Sequence, residues 1–267
     1  MENTSEVKKD GKSLAKSEII WAAAIIGFCL IAATAVGADS FYKSKQLSNV
    51  LSVTGSAEKI VSSDTVKWQS GLSRSVDANG LKQGSASMKN DIEIVKKYFK
   101  DSGVQDFEIS VDPVTVSPVC ESQNNTFYDK YGSQTCGTGR ITGYNLQQVI
   151  VVESNRVLEV GNLSRAASDY FISQGLVFNT QNLEYYYSKL ADLRLELLSQ
   201  ATQDAKLRAE KIAESTGKKI DSLQAASMGV FQVTSKNSVE VSDYGTYDTS
   251  SFEKKVTGVV RTSFSLK

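Results

Sequence analysis

Residues Ile19 to Ala38 read IIWAAAIIGFCLIAATAVGA and lie between Glu18 and Asp39. No charged residue interrupts the run, and Thr34 is its only hydroxyl-bearing residue. At about 1.5 Å of rise per residue, a helix of this length spans roughly 30 Å, the thickness of a bilayer core. No polar stripe marks an outer face, which argues against a buried helix of a soluble core. Lys8, Lys9, Lys12 and Lys16 precede the run, and a lysine-rich flank predicts that this end stays in the cytosol. The reading divides the chain into a cytoplasmic tail at residues 1–18, a transmembrane segment at 19–38 and an exported part at 39–267.

Two readings of the apolar run stay open. One is an uncleaved signal-anchor helix. The other is a cleavable signal peptide, because Ala35-Val36-Gly37 and Val36-Gly37-Ala38 both fit a small-x-small cleavage pattern. The run exceeds the usual apolar region of a signal peptide, so the anchor is the expectation. Both readings export the same domain, and with the anchor the chain is expected at the cytoplasmic (inner) membrane as a single-pass protein, with its C-terminal part in the periplasm or another extracytoplasmic space.

Composition narrows the chemistry. The 30 basic and 30 acidic residues balance, so no basic excess is available to attract nucleic acid. The chain contains no histidine. That removes Ser-His-Asp and Cys-His catalysis and HExxH zinc sites, while Ser-Lys and paired-carboxylate chemistry remain open. The expectation is a protein that is not an enzyme, with no catalytic residue, no cofactor and no metal. Only two prolines occur, Pro113 and Pro118, so long unstructured linkers are not expected.

Cys29 falls inside the apolar run, which leaves Cys120 and Cys136 as the only cysteines of the exported part. Disulfides persist outside the cytosol, and no alternative intramolecular pairing exists there. A Cys120–Cys136 bridge is predicted. Asn124, Asn125, Gly132 and Ser133 lie between the two and suit a chain reversal. A rival two-thiol metal site lacks the further Cys or His ligands that zinc takes.

Periodicity outlines the exported part. Leu51 and Val53, then Val66, Trp68 and Leu72, alternate with polar residues and predict two strands. The turn chemistry of Ser62-Ser63-Asp64 predicts that these strands form a hairpin. Leu81, Met88, Ile92, Val95 and Phe99 make a helical stripe if Ser85 fills one step, with Asp77 as N-cap and Gly103 as stop. Phe107 to Val111 reads as a strand, Cys120 to Gly139 as a polar loop, and Ile141 to Val152 as a long strand. Arg156 to Gln174 reads as a helix ended by Gly175, and Leu176 to Phe178 opens another strand. Leu190, Leu193, Leu197, Ala201, Ala205, Ala209 and Ile212 form the cleanest helical stripe, followed by Gly217. Ser222 to Thr234 reads as a strand, Ser235 to Lys255 as a mobile loop, and Val256 to Leu266 as a final alternating strand. This order predicts an α+β fold, antiparallel sheet with helices packed on one side.

Several of these segments together resemble one family. Val53-Thr54-Gly55-Ser56-Ala57 followed by Ser63-Asp64 looks like the opening strand and turn of SIMPL domain proteins, although that family usually carries Pro-Asp where this chain has Ser63-Asp64. Arg140-Ile141-Thr142-Gly143-Tyr144-Asn145 is similar to the family's strand after the central loop. Arg156-Val157-Leu158-Glu159-Val160-Gly161 resembles the start of its next helix, and Ala205 to Ala213 its most recognisable helix. The resemblance covers about Val50 to Leu266. It implies an α+β bacterial envelope domain, often periplasmic, in a family linked to oxidative-stress tolerance and known to include a ring oligomer. It supplies no catalytic residues.

Four groups stand out as candidate sites. Asp64 after a hydroxyl residue reads as an Asx-type turn, with a ligand site as the alternative. Asp101, Asp106, Glu108 and Asp112 could offer oxygen ligands to calcium, but they lack the spacing of a calcium loop and read as a solvated face. Tyr185, Tyr186 and Tyr187 suit core packing or a subunit interface. Ser13 to Lys16 spells SxxK, but on the tail with no domain around it. The functional expectation is a non-enzymatic, membrane-anchored envelope protein, a homo-oligomer or binder of an unnamed protein partner. A small-ligand-binding module is the alternative, and a histidine-free hydrolase the remote one.

Overall fold

The computed structural model describes residues 11–46, 49–121, 127–128, 130, 132, 134–137 and 139–267. Of the tail expected over residues 1–18, the first ten, with Lys8 and Lys9, lie outside the described residues, as do the turn residues Asn124, Asn125 and Ser133, and the rest belongs to the first helix. The apolar run sits in one helix, α1 (Gly11–Gln46). Its stretch Ile20–Phe41 is long and apolar enough to cross a membrane, and none of it is buried against the rest of the chain. This fits a single-pass anchor or a signal sequence.

Beyond it run β1 (Val50–Ser62), β2 (Thr65–Asp77), α2 (Leu81–Asp101), β3 (Ile109–Val111) and β4 (Thr115–Cys120). The short pair β5 (Phe127–Tyr128) and β6 (Gln134–Thr135) precedes β7 (Ile141–Ser154), α3 (Val157–Ser173) and β8 (Val177–Tyr186). The chain ends with α4 (Leu190–Ser215), β9 (Ile220–Met228), β10 (Gln232–Ser235), β11 (Thr246–Tyr247) and β12 (Glu253–Leu266). The fold is α+β, as the periodicity indicates.

The chain divides into two compact units. The larger comprises Ser56–Thr202 and Met228–Val260. Its main sheet has the order β3-β7-β2-β8, with β4 also pairing β7. Every pairing in it is antiparallel. Trp68 stands opposite Val152 on one side and Leu183 on the other. Even-numbered residues of β2 point inward, so Val66, Trp68 and Leu72 are buried with Leu146 and Ile150 of β7. Helices α2 and α3 bring Met88, Val95, Phe99, Val160, Ala167 and Phe171 to the same core. A second cluster in this unit joins Val61, Leu193, Leu197, Val233 and Val256. The smaller unit comprises Met1–Gly55, Gln203–Ser227 and Arg261–Lys267. There Ala205 and Ala209 are fully buried against Val53 and Phe264, the close approach that small side chains allow.

The hairpin expected at Ser62-Ser63-Asp64 is not formed. β1 pairs with β12, whereas β2 pairs with β7 and β8. The connection satisfies its backbone elsewhere: Ser63 N–H donates to Phe252 O and Asp64 N–H to Tyr186 O, both at 2.9 Å. The strands therefore part into different sheets instead of exchanging ladder bonds. Three smaller corrections share one cause, that packing chooses among local options. The α2 stripe passes through Gly84, not Ser85, because a Cβ at Gly84 would stand 2.5 Å from Val76 Cγ1. Asp77 does not cap α2; Gly80 is the N-cap, and Asp77 accepts from Asn79 N–H at 3.1 Å. In α4 the last inward position is Ala213, while Ile212 is exposed.

Two segments hold more strands than the periodicity predicts. Ser222 to Thr234 is two strands, β9 and β10, each paired with β12. The loop expected over Ser235 to Lys255 contains β11, which pairs in parallel with β10. Strand β4 has no counterpart in the periodicity, since Pro118 and its polar neighbours mask it.

Candidate functional site

The predicted bridge is present. Cys120 and Cys136 are disulfide-bonded, with Cα atoms 5.4 Å apart. Cys120 closes β4 opposite Ile141 at the start of β7, so the strands that enter and leave the loop are partners. The bond anchors the β5–β6 ribbon to the rim of the larger unit's sheet.

Asp64 serves a longer-range purpose than a local turn. Its carboxylate accepts from Ser188 N–H and Ser188 Oγ at 2.8 and 2.7 Å, and from Thr65 Oγ1 at 3.3 Å. Burial opposes its ionisation, but the bonds from Ser188 and Thr65 outweigh that and hold its pKa below the ordinary aspartate value.

Two of the four acidic residues of the calcium reading, Asp106 and Glu108, are engaged separately. Asp106 pairs with Lys100 at 2.6 Å. Glu108 is buried and accepts from Gln105 N–H at 2.7 Å and from Arg156 Nη2 at 2.8 Å. Its burial is again outweighed, by bonds from Ser154, Gln105 and Arg156, and its pKa is lowered. Asp101 and Asp112 are not drawn to it, and among the described residues no group of three His, Cys, Asp or Glu side chains gathers.

The three tyrosines divide between two faces, as a strand end dictates. Tyr185 packs on the main core and sets its ring edge to Phe252. Tyr187 packs on the second cluster of the larger unit. Tyr186 donates its hydroxyl to Glu184 Oε2 at 2.8 Å, which with burial pushes its pKa up to about 12. All three are half-buried within the chain itself. Ser13 and Lys16 fall in the first turns of α1.

The sequence reading missed a polar cavity of about 310 Å³ between β10 and the segment before β12, lined by hydroxyls including Thr234, Ser235, Thr246 and Ser250. Behind it lies Lys254, fully buried, its ammonium donating to Asp248 O at 2.6 Å and Ser251 O at 2.8 Å. Burial lowers the Lys254 pKa against the pull of the Asp248 carboxylate. A signal existed: Lys254 shares the inward phase of Val256, Val260 and Phe264. Also missed was a cavity at the start of α3, where Ser63, Asn155 and Phe252 meet.

A family model described as SIMPL, a protein of unknown function (DUF541), matches residues 51–264. The chain belongs to the SIMPL family. No curated protein matches it. The match takes in all of β2 to β11, with Ser63, Asp64, Cys120, Cys136 and the Arg156–Glu108 pair. In this SIMPL chain the segments that carried the resemblance have structural duties. Gly143 pairs opposite Asp77, where a Cβ would strike the carbonyl oxygen of Val76. Ala205 and Ala209 are the buried contacts of α4.

Proposed function

We propose that this SIMPL protein is a non-enzymatic, membrane-tethered envelope protein that acts through self-association or partner binding, with β9 as its contact strand. The observation that carries this reading is the state of β9. It has nine residues, and all but Ile220 are exposed. Among the described strands it pairs with β12 alone. Leu223 and Met228 are 51% and 57% exposed. From Ser222 to Ser235 there is no charged residue and no proline, the usual protections of an open sheet edge. An unprotected edge of this length is suited to receive a strand from another chain. The exported placement of the domain and a service under oxidative or envelope stress belong to the same proposal and draw on the family and the apolar helix.

Sedimentation of the detergent-extracted full chain tests it. The expected result is an assembly larger than a monomer that Ala225→Lys and Ala226→Lys, both exposed, return to monomer. A wild-type monomer at tens of micromolar, with no retained partner, would overturn the proposal.

A further inference from the structure

The N-terminal end of α3 opens onto a cavity of about 280 Å³. Two independent observations point to a ligand there. The first is the helix end. Arg156 N–H donates to Ser154 Oγ at 3.0 Å, and Val160 N–H donates to Arg156 O at 3.0 Å. The donors between them, on Val157, Leu158 and Glu159, have no intrahelical partner by the geometry of a helix start, and no side chain caps this 17-residue helix. The second is Ser63 in the cavity wall. It is only 4% exposed, and its Oγ has no hydrogen-bond partner. A buried hydroxyl left unpaired is unfavourable, and here it adjoins a cluster of unpaired donors with the positive end of a helix dipole.

The surroundings select the ligand. Phe252, Val157 and Leu158 give the cavity an apolar wall. The nearest cation, Arg156, is shared between Glu108 at 2.8 Å and Glu159 at 3.1 Å. One guanidinium facing two carboxylates leaves no surplus positive charge to hold a dianion. A singly charged group can still take the N–H donors.

We propose that this cavity binds a small monocarboxylate with an apolar body, its carboxylate accepting from the first-turn N–H groups of α3 and from the Ser63 hydroxyl. The site lies within the larger unit and is independent of the β9 contact, so either can fail without the other.

The test is an amide-shift titration of the isotope-labelled full chain in detergent micelles, at fixed pH and ionic strength, with phenylacetate as probe. Saturable shifts are expected at Leu158 and Glu159. Phenylacetamide, which lacks the charge, and inorganic phosphate, with the pH set alkaline enough that it is a dianion, should give none. Ser63→Ala should weaken phenylacetate about tenfold, the loss of one hydrogen bond to a charged group. Leu158→Glu places a carboxylate at an exposed position, 67% accessible, and should weaken it at least about threefold. That variant keeps a favourable charge at the helix start, so it decides the matter if Ser63→Ala does not fold. Unsaturated shifts with phenylacetate, an equal response to phenylacetamide or phosphate, or wild-type binding by the folded variants would overturn the proposal.

Discussion

The carboxylate of Asp64 accepts both the backbone N–H and the hydroxyl of Ser188, at 2.8 and 2.7 Å. The residues are 124 positions apart, so the pair ties the β1–β2 connection to the segment ahead of α4. Asp64→Ala should lower stability by about 1–2 kcal/mol, as loss of a charge-assisted cap does. The check is a shift in urea midpoint with an unchanged slope.

Acid should weaken the fold through three carboxylates. In Asp64, Glu108 and Asp248 burial opposes ionisation, and hydrogen bonds overcome it, leaving each pKa below its ordinary value of 3.8 for Asp or 4.5 for Glu. A lowered folded value means that the stabilisation is present above the unfolded pKa and is lost as pH falls through the folded one. Thermal melts should be level near neutrality and fall steeply below about pH 4. Glu108→Gln should flatten part of that slope; an unchanged slope would show that Glu108 contributes nothing to it.

Replacing both Cys120 and Cys136 with serine should destabilise the domain by roughly 3 kcal/mol, the chain-entropy value for a loop of about 15 residues. The wild-type chain from an oxidising compartment should show one free thiol under denaturing, non-reducing conditions, that of Cys29. Three would refute the bridge.

Lys254→Ala should cost about 3 kcal/mol, because it opens space and leaves the carbonyls of Asp248 and Ser251 without their donor. Lys254→Met keeps most of the volume and should recover only the packing part. A melt equal to wild type for either variant would show that the buried ammonium is dispensable.

Protease added to spheroplasts should digest the domain beyond Asp39, if the lysine flank sets an N-in orientation. Protection of that domain would refute the orientation, and a mature N-terminus near Ala38 or Asp39 would show cleavage instead of anchoring.

What the sequence determined by itself is what depends on neighbours along the chain. The uninterrupted apolar run made α1 legible, and the 3.6-residue stripe of Leu190 to Ala209 made α4 legible. Period two revealed β2, β7 and β12, because a strand's inward face repeats regardless of its partner. The disulfide was legible because only two cysteines, Cys120 and Cys136, lie beyond the apolar run. Tertiary structure alone decided which strands pair. Ser62-Ser63-Asp64 has turn chemistry, yet β1 joins β12 and β2 joins β7 and β8, since a turn states that the chain bends and not which edge it meets. The same holds for the candidate sites. Ser63 and Phe252 are far apart in the chain and meet at α3 only because Ser63 N–H finds Phe252 O. The β9 edge is open only because β12 gives it one partner and no second strand arrives among those described. Such contacts close loops of many residues, and their free energy belongs to the assembled sheet and not to any local pattern.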